Sequence, residues 1–185
     1  MDTFILPAIA NTHSHAFQRA MAGLTEHRGD GQDSFWTWRE QMYRFAGRIN
    51  PEQLYAIAAQ LYGEMLEAGF TQVCEFHYLH HQPDGNRYAN PAEMSQAIIR
   101  AAEDAGIGLT LLPVLYQTGG FDGRPLAPRQ QRFGHQLESF VDLVEAESGL
   151  NPDDPKGLIN VVSIALADYN RRHPTAPISA SRCSK

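Results

Sequence analysis

The segment "INPEQLYAIAAQLYGEMLEAGFTQVCEFHY", Ile49 to Tyr78, reads as a helix running straight into a strand. Asn50 is placed to cap the helix, Pro51 to occupy its first turn, and Gln53 to close a capping box. Leu54, Ile57, Ala58, Leu61 and Met65 then recur at helical spacing and form one apolar face. Gly69 stops the helix, and Thr71 to Tyr78 forms an apolar run expected of a strand covered on both sides.

"ANPAEMSQAIIRAAEDAGIGLTLLPVLY", Ala89 to Tyr116, repeats this plan. Asn90 is the expected cap, Pro91 the first helical residue and Glu93 the box partner. Met94, Ala97, Ile98, Ala101 and Ala105 form the stripe, Gly106 the stop, and Leu109 to Tyr116 the strand. Outward from these modules lie a strand-like "FILPAIANTH" at the front, a helix from about Gly134 to Glu147, and "GLINVVSIALA" behind it. Long helical crossovers favour parallel pairing, so the chain reads as an α/β protein with about four βα units. No GxGxxG or GxxxxGK[ST] element follows a strand, which removes the nucleotide-binding form of an open sheet. The preferred architecture is a partial TIM-type (β/α) barrel, because a closed one has eight strands and about 250 residues. Residues 1–168 are expected to form this domain, with 169–185 a loose tail of mixed Pro, Ser and Arg. "GGFDGRPLAPRQQR", Gly119 to Arg132, reads as a loop, and "GLNPDDPKG" as a second break.

The composition is 43% hydrophobic and 19% charged over 185 residues, enough apolar content for one core. A net charge of -6 argues against a nucleic-acid surface. Cys74 and Cys183 are too far apart in sequence for a C-x-x-C pair, and Cys74 is expected to be a buried, inert thiol. Asp2 stands where a signal peptide would carry a cation, Pro7 breaks the short apolar run, and no window approaches a membrane span. A cytoplasmic protein is expected, without membrane or nucleic-acid partners.

Chemistry centres on "NTHSHAFQ". In a strand His13 and His15 project to one side and Ser14 to the other, at the carboxyl end where barrels build their sites. Two imidazoles there suit a divalent ion such as zinc; a surface pair that binds nothing is the competing reading. In "EFHYLHH", His77 is expected to face away from Phe76 and Tyr78, and His80 and His81 to lie in a polar loop; His27, His135 and His173 have no partner at ligand spacing. Trp36, Trp38 and Arg39 read either as the wall and guanidinium of a carboxylate pocket or as core aromatics beside a solvated charge. Ser34, Ser95 and Ser139 sit in no nucleophile elbow.

Together "NTHSHAFQRAMAGLTE", "DSFWTWREQMYRFA", "EMLEAGFTQVCEFHYLHH" and "GIGLTLLPVLY" resemble the front half of the barrel of the formimidoylglutamate deiminases, in the amidohydrolase superfamily. The resemblance runs from about Phe4 to about Val144. It implies zinc-dependent hydrolysis of the formimino group of N-formimino-L-glutamate, an acidic amidine, during histidine degradation. It further implies that His13 and His15 are metal ligands, that Gln18, Arg39 and Tyr78 contact substrate, and that the full-length enzymes are homodimers. Family members also carry a small β-sandwich and later barrel strands with a third histidine, an aspartate and the proton-transfer groups, so no catalytic residue is expected in this chain. The chain is accordingly expected to be a fragment with little activity of its own. Competing expectations are a related deaminase acting on a heterocyclic base, and a non-catalytic half-barrel that pairs through its open edges.

Overall fold

A computed structural model of the chain describes residues 7–25, 35–120, 122–148 and 159–161. The sheet has four parallel strands in the order of the sequence: β1 (Ile9–Ser14), β2 (Phe70–His77), β3 (Gly108–Pro113) and β4 (Ile159–Val161). A doubly wound open sheet reverses direction at a switch point, whereas a barrel adds each strand beside the last. Within these four strands each is added beside the last, with no reversal of order.

Helices α1 (Phe35–Ala46), α2 (Pro51–Glu67), α3 (Glu93–Ala105) and α4 (Leu137–Ser148) occupy the connections. The capping box of α2 is formed as expected: Asn50 Oδ1 accepts from the Gln53 backbone N–H at 2.8 Å, and Gln53 Oε1 accepts from the Asn50 backbone N–H at 3.0 Å. The second box is not. Asn90 Oδ1 accepts from Ala92 N at 3.0 Å, closing a turn ahead of the helix, so α3 starts at Glu93 with Ala92 as its uncapped boundary. Gly106 ends α3 in the left-handed conformation at φ 78°, where a glycine carries no Cβ penalty.

The core lies between the sheet and the pair α2 and α3. Leu54, Ala58, Tyr62 and Met65 are buried from α2, against Met94, Ala97, Ile98, Ala101 and Ala102 from α3. The buried stripe of α2 is rotated toward Tyr62; Ile57 instead lines a groove of about 680 Å³ with Leu24 and Phe45. Strand β3 is almost wholly buried, but β2 alternates, with Val73, Glu75 and His77 buried and Cys74 and Phe76 half-buried. The expected two-sided burial of β2 and the buried Cys74 are therefore corrected: the second face of β2 is partly open. The expected start of α4 at Gly134 is also corrected, since His135 N donates to Tyr116 O at 3.1 Å in a strand-like bridge and the helix begins at Leu137. No described helix is long and apolar enough to cross a membrane. The 169–185 tail, His27, Ser34, His173, Cys183 and "GLNPDDPKG" lie outside the described residues.

Two buried polar groups lock these elements together. Arg132 is 1% exposed; it donates to the carbonyls of Ala46, Ile49 (2.9 Å) and His81 (3.0 Å), while its own carbonyl accepts from His80 N and His81 N. Burial lowers its guanidinium to about 10, so it stays charged at neutral pH. On the β1 side, Glu75 accepts from Ala16 N at 2.6 Å, from Tyr62 Oη at 3.4 Å, and from the Ser14 side chain. Burial raises the Glu75 carboxyl to about 7, against the pull of these donors. At the outer edge Arg19 forms a two-pronged pair with Glu64 at 2.7 and 2.8 Å, tying the 3-10 helix Ala16–Met21 to α2.

Arg132→Met is expected to lower stability by about 3 kcal/mol in urea unfolding, because it strands buried carbonyls. Loss of under roughly 1 kcal/mol would show that water replaces the guanidinium easily. For Glu75 the folded carboxyl titrates near 7 and the unfolded one near 4.5. Across that window the unfolded chain holds fewer protons, so this group's contribution to stability falls as pH rises. Glu75→Gln is expected to gain on the wild type by on the order of 3 kcal/mol between the two ends of the window. Parallel stability profiles for the two proteins would show that Glu75 ionises freely in the fold.

Candidate metal and substrate site

The carboxyl ends of β1 and β2 bring the H-S-H turn against Phe76 and Tyr78. His13 Nε2 and His15 Nε2 stand 3.1 Å apart. Ser14 is turned the opposite way into the Glu75 pocket, so the alternation expected of a strand holds across the turn. His15 Nδ1 lies 2.8 Å from the Phe76 carbonyl. A carbonyl only accepts, so Nδ1 carries the proton and Nε2 presents a lone pair toward His13. Burial lowers the pKa of His15, outweighing the upward pull of the Phe76 carbonyl, and His13 adds to the lowering; the ring is neutral, as a ligand must be. The His13 ring stacks on Phe76 at 4.4 Å, and His13 N donates to Asn11 Oδ1 at 3.0 Å. Both imidazoles are thus fixed before any ion arrives.

The spacing fits one ion. Tetrahedral zinc bonded at about 2.0 to 2.1 Å separates two nitrogens by roughly 3.3 Å, close to the observed pair. Among the described residues no group of three or more His, Cys, Asp or Glu is placed to hold a metal, so this pair supplies two donors and no more.

Tyr78 carries the geometry outward. Its hydroxyl accepts from Gln18 Nε2 at 3.0 Å, and its ring meets His15 edge-on at 5.0 Å. Burial raises the phenol far above its ordinary value, which keeps it a neutral hydrogen-bonding group. Behind it, Phe133 contacts Tyr78 (5.3 Å), Tyr43 (5.9 Å) and Tyr116 (5.7 Å). Arg39 Nε donates to Tyr43 Oη at 3.1 Å, and Arg39 lines a cleft of about 590 Å³ with Tyr116, Thr118 and Arg124. Arg39 is therefore half-buried on an aromatic wall and not a solvated helix charge. Trp38 packs on the core. His13, His15, Gln18 and Tyr78 make one contact group, and Arg39 joins it through Phe133 and Tyr43.

The other histidines depart from expectation in an instructive way. His77 does face away from Phe76 and Tyr78. His80 and His81 do not form a polar loop: they are 1% and 6% exposed, and His135, which had no assigned place, packs against them at 4.9 and 4.5 Å. His80 Nε2 and His81 Nε2 donate to the carbonyls of Val114 (3.1 Å) and Gly134 (2.7 Å). Burial drives His77 and His135 down to about 3 and His80 well below its ordinary value, so the group is neutral packing. The loop Gly119–Arg132 likewise hides structure. Its 3-10 helix, Pro128–Phe133, buries Gln130, Arg132 and Phe133. Tyr43, Tyr116, Gln130 and Phe133 were not legible as site residues; Pro128 followed by Gln130 after Ala127 was the available helix-start signal.

Comparison with known proteins identifies the family. The profile of the Amidohydrolase family matches residues 4–151. The chain is 59% identical over 141 residues to formimidoylglutamate deiminase of Pseudomonas aeruginosa, covering 76% of this chain and 31% of that protein. Among solved structures, an amidohydrolase from Brucella melitensis superposes with a TM-score of 0.80 at 46% identity, covering 92% of this chain and 40% of the other. The atrazine chlorohydrolase of Arthrobacter aurescens, solved in complex with zinc, shares the fold at a TM-score of 0.59 and 20% identity, over 85% of this chain and 34% of that one. The chain spans about a third of the length of the curated relative, and the profile covers most of the chain. With the family profile matched over residues 4–151, the chain belongs to the amidohydrolase family.

Proposed function

We propose that the chain forms the first part of a metal-dependent (β/α) barrel that hydrolyses N-formimino-L-glutamate to N-formyl-L-glutamate and ammonia. The observation that carries this reading is the 3.1 Å pairing of His13 and His15 beside Tyr78 and Gln18, in a chain so similar to a formimidoylglutamate deiminase. Water adds to the formimino carbon, the C=N nitrogen leaves as ammonia, and the carbon keeps a carbonyl oxygen.

His13 and His15 would hold one zinc ion, with the remaining donors supplied by barrel strands beyond these four. When bound, such an ion supplies the Lewis acidity that makes water nucleophilic near neutral pH. The chain's own residues bind and orient. Tyr78, neutral and bonded to Gln18, offers a fixed phenol beside the two imidazoles for the substrate's polar atoms. Arg39 offers a guanidinium to a substrate carboxylate in the cleft, where a charge-assisted bond is stronger than a neutral one. Phe76 stacks on His13 and Phe133 backs Tyr78, which gives the reacting end an aromatic wall. In this reading the protein works in the cytoplasm on nitrogen derived from histidine, and the homodimer implied by the resemblance is its assembly.

The deciding assay follows ammonia release from N-formimino-L-glutamate by the chain extended through the remaining barrel strands. Turnover is expected, with His13→Ala and His15→Ala abolishing it and Arg39→Met raising KM at least about tenfold, the loss of one charge-assisted bond. Turnover of a neutral heterocyclic base, with none of formiminoglutamate, would overturn the proposal. For the 185-residue chain itself, zinc titration is expected to shift the His13 and His15 imidazole NMR signals together and weakly, since two donors leave coordination incomplete. Shifts confined to other histidines would move the metal elsewhere.

A further inference from the structure

We infer that Gln130 is a positioning residue for Arg39, acting through the hydroxyls of Tyr43 and Tyr116; the inference rests on the carboxylate-binding reading of Arg39. Gln130 is 4% exposed, on the 3-10 helix behind the cleft. Its Oε1 accepts from Ala127 N at 2.8 Å. That bond decides the amide's orientation, because the flipped amide would set one donor against another. With Oε1 so held, Nε2 aims its two hydrogens at Tyr43 Oη (3.0 Å) and Tyr116 Oη (3.2 Å). Tyr43 Oη is also the acceptor for Arg39 Nε–H. Gln130 and Arg39 thus both donate into the same phenol oxygen. The polarity is fixed from Ala127 to the two phenols, since the amide accepts from Ala127 N and donates to Tyr43 and Tyr116.

Glycine chemistry supports the same unit. A Cβ at Gly119 would lie 2.6 Å from the Pro125 carbonyl and 3.0 Å from Gln130 Oε1. The loop that walls the cleft is therefore seated directly on the Gln130 amide, and Gly119 N closes it by donating to Arg124 O at 2.7 Å. Cleft wall and Arg39 share one buried support. An arginine side chain has much rotamer freedom to lose when it meets a carboxylate; holding Nε beforehand moves that loss from binding to folding. Gln130 so sets how well the cleft takes a carboxylate-terminated chain, without touching it.

The test is NMR on the full chain with 15N-labelled arginine, following hydrogen exchange at Arg39 Nε, together with titration of glutarate as the dicarboxylate probe. Gln130→Leu is expected to accelerate Arg39 Nε–H exchange and to weaken glutarate, each by roughly tenfold, with the far-UV spectrum unchanged. Tyr116→Phe, which keeps the ring and removes one acceptor of the amide, is expected to move both in the same direction by less. Exchange at the wild-type rate in both variants overturns the inference; if Gln130→Leu does not fold, Tyr116→Phe decides on the same criterion. The carboxylate reading is judged separately. If glutarate binds equally to the wild type and to Arg39→Ala, or to neither, that reading fails, while the exchange rates still decide the role of Gln130.

Discussion

The arrangement of the site depends on a single buried cation. Arg132 joins the corner between α1 and α2, through the carbonyls of Ala46 and Ile49, to the segment leaving β2, through His81. No carboxylate is among these partners; backbone carbonyls accept from the two terminal nitrogens of Arg132. A lysine could offer three donors from one point; the guanidinium fork can serve carbonyls on separate segments at once. This matters because Arg39 rides on α1 and Tyr78 follows β2. Without a fixed relation between those elements, the guanidinium and the phenol proposed to address one small molecule would drift independently. Gln130 and Phe133 flank Arg132 on the same 3-10 helix, so the turn that locks the corner also supplies the wall behind the cleft.

Burial then sorts the titratable groups by charge state. His15, His77, His80 and His135 are all pushed toward the neutral ring, while Arg132 stays cationic and Glu75 is driven toward its protonated form. A neutral imidazole costs far less to bury than an imidazolium, which is why edge-to-face packing of His80 with His77 and His135 is tolerable in the core. The same physics serves the metal reading at His15, where neutrality is a condition of ligation. Glu75 holds Ser14 and Ala16 on either side of His15, so the imidazole is aimed by a carboxyl it never touches.

How much of this was legible follows from the range of the forces involved. The α2 capping box, the Gly106 stop and the projection of His13 and His15 to one side are local: each is decided within a turn of helix or a few residues of strand. The false capping box at Asn90 failed locally too, because Asn can bond the backbone two residues on and form a turn in place of a cap. His80 and His81 depart from the polar-loop expectation for a different reason. Polar residues after a strand usually stay in water, and only the long-range partners at Val114 and Gly134 make burial possible. The Gly- and Pro-rich stretch before Arg132 concealed Gln130 and Phe133, whose significance lies in Tyr43, Tyr116 and Tyr78. Composition reports the loop; it does not report what the loop leans on.

On the proposed reading, chain order itself explains how the work is divided. Each parallel strand delivers its carboxyl end to the same rim, and neighbours lie about 4.8 Å apart, so functions arising after β1, β2 and β3 are spread over roughly 10 Å. The imidazole pair ends β1, the phenol follows β2, and the cleft opens after β3. A substrate with a formimino group at one end and a carboxylate five bonds away spans much of that distance, and Arg39 reaches in from α1 to meet it. A neutral heterocyclic base carries no carboxylate for Arg39 to meet. On the proposed reading, the succession of imidazole pair, phenol and cleft along three strand ends suits an elongated acidic amidine.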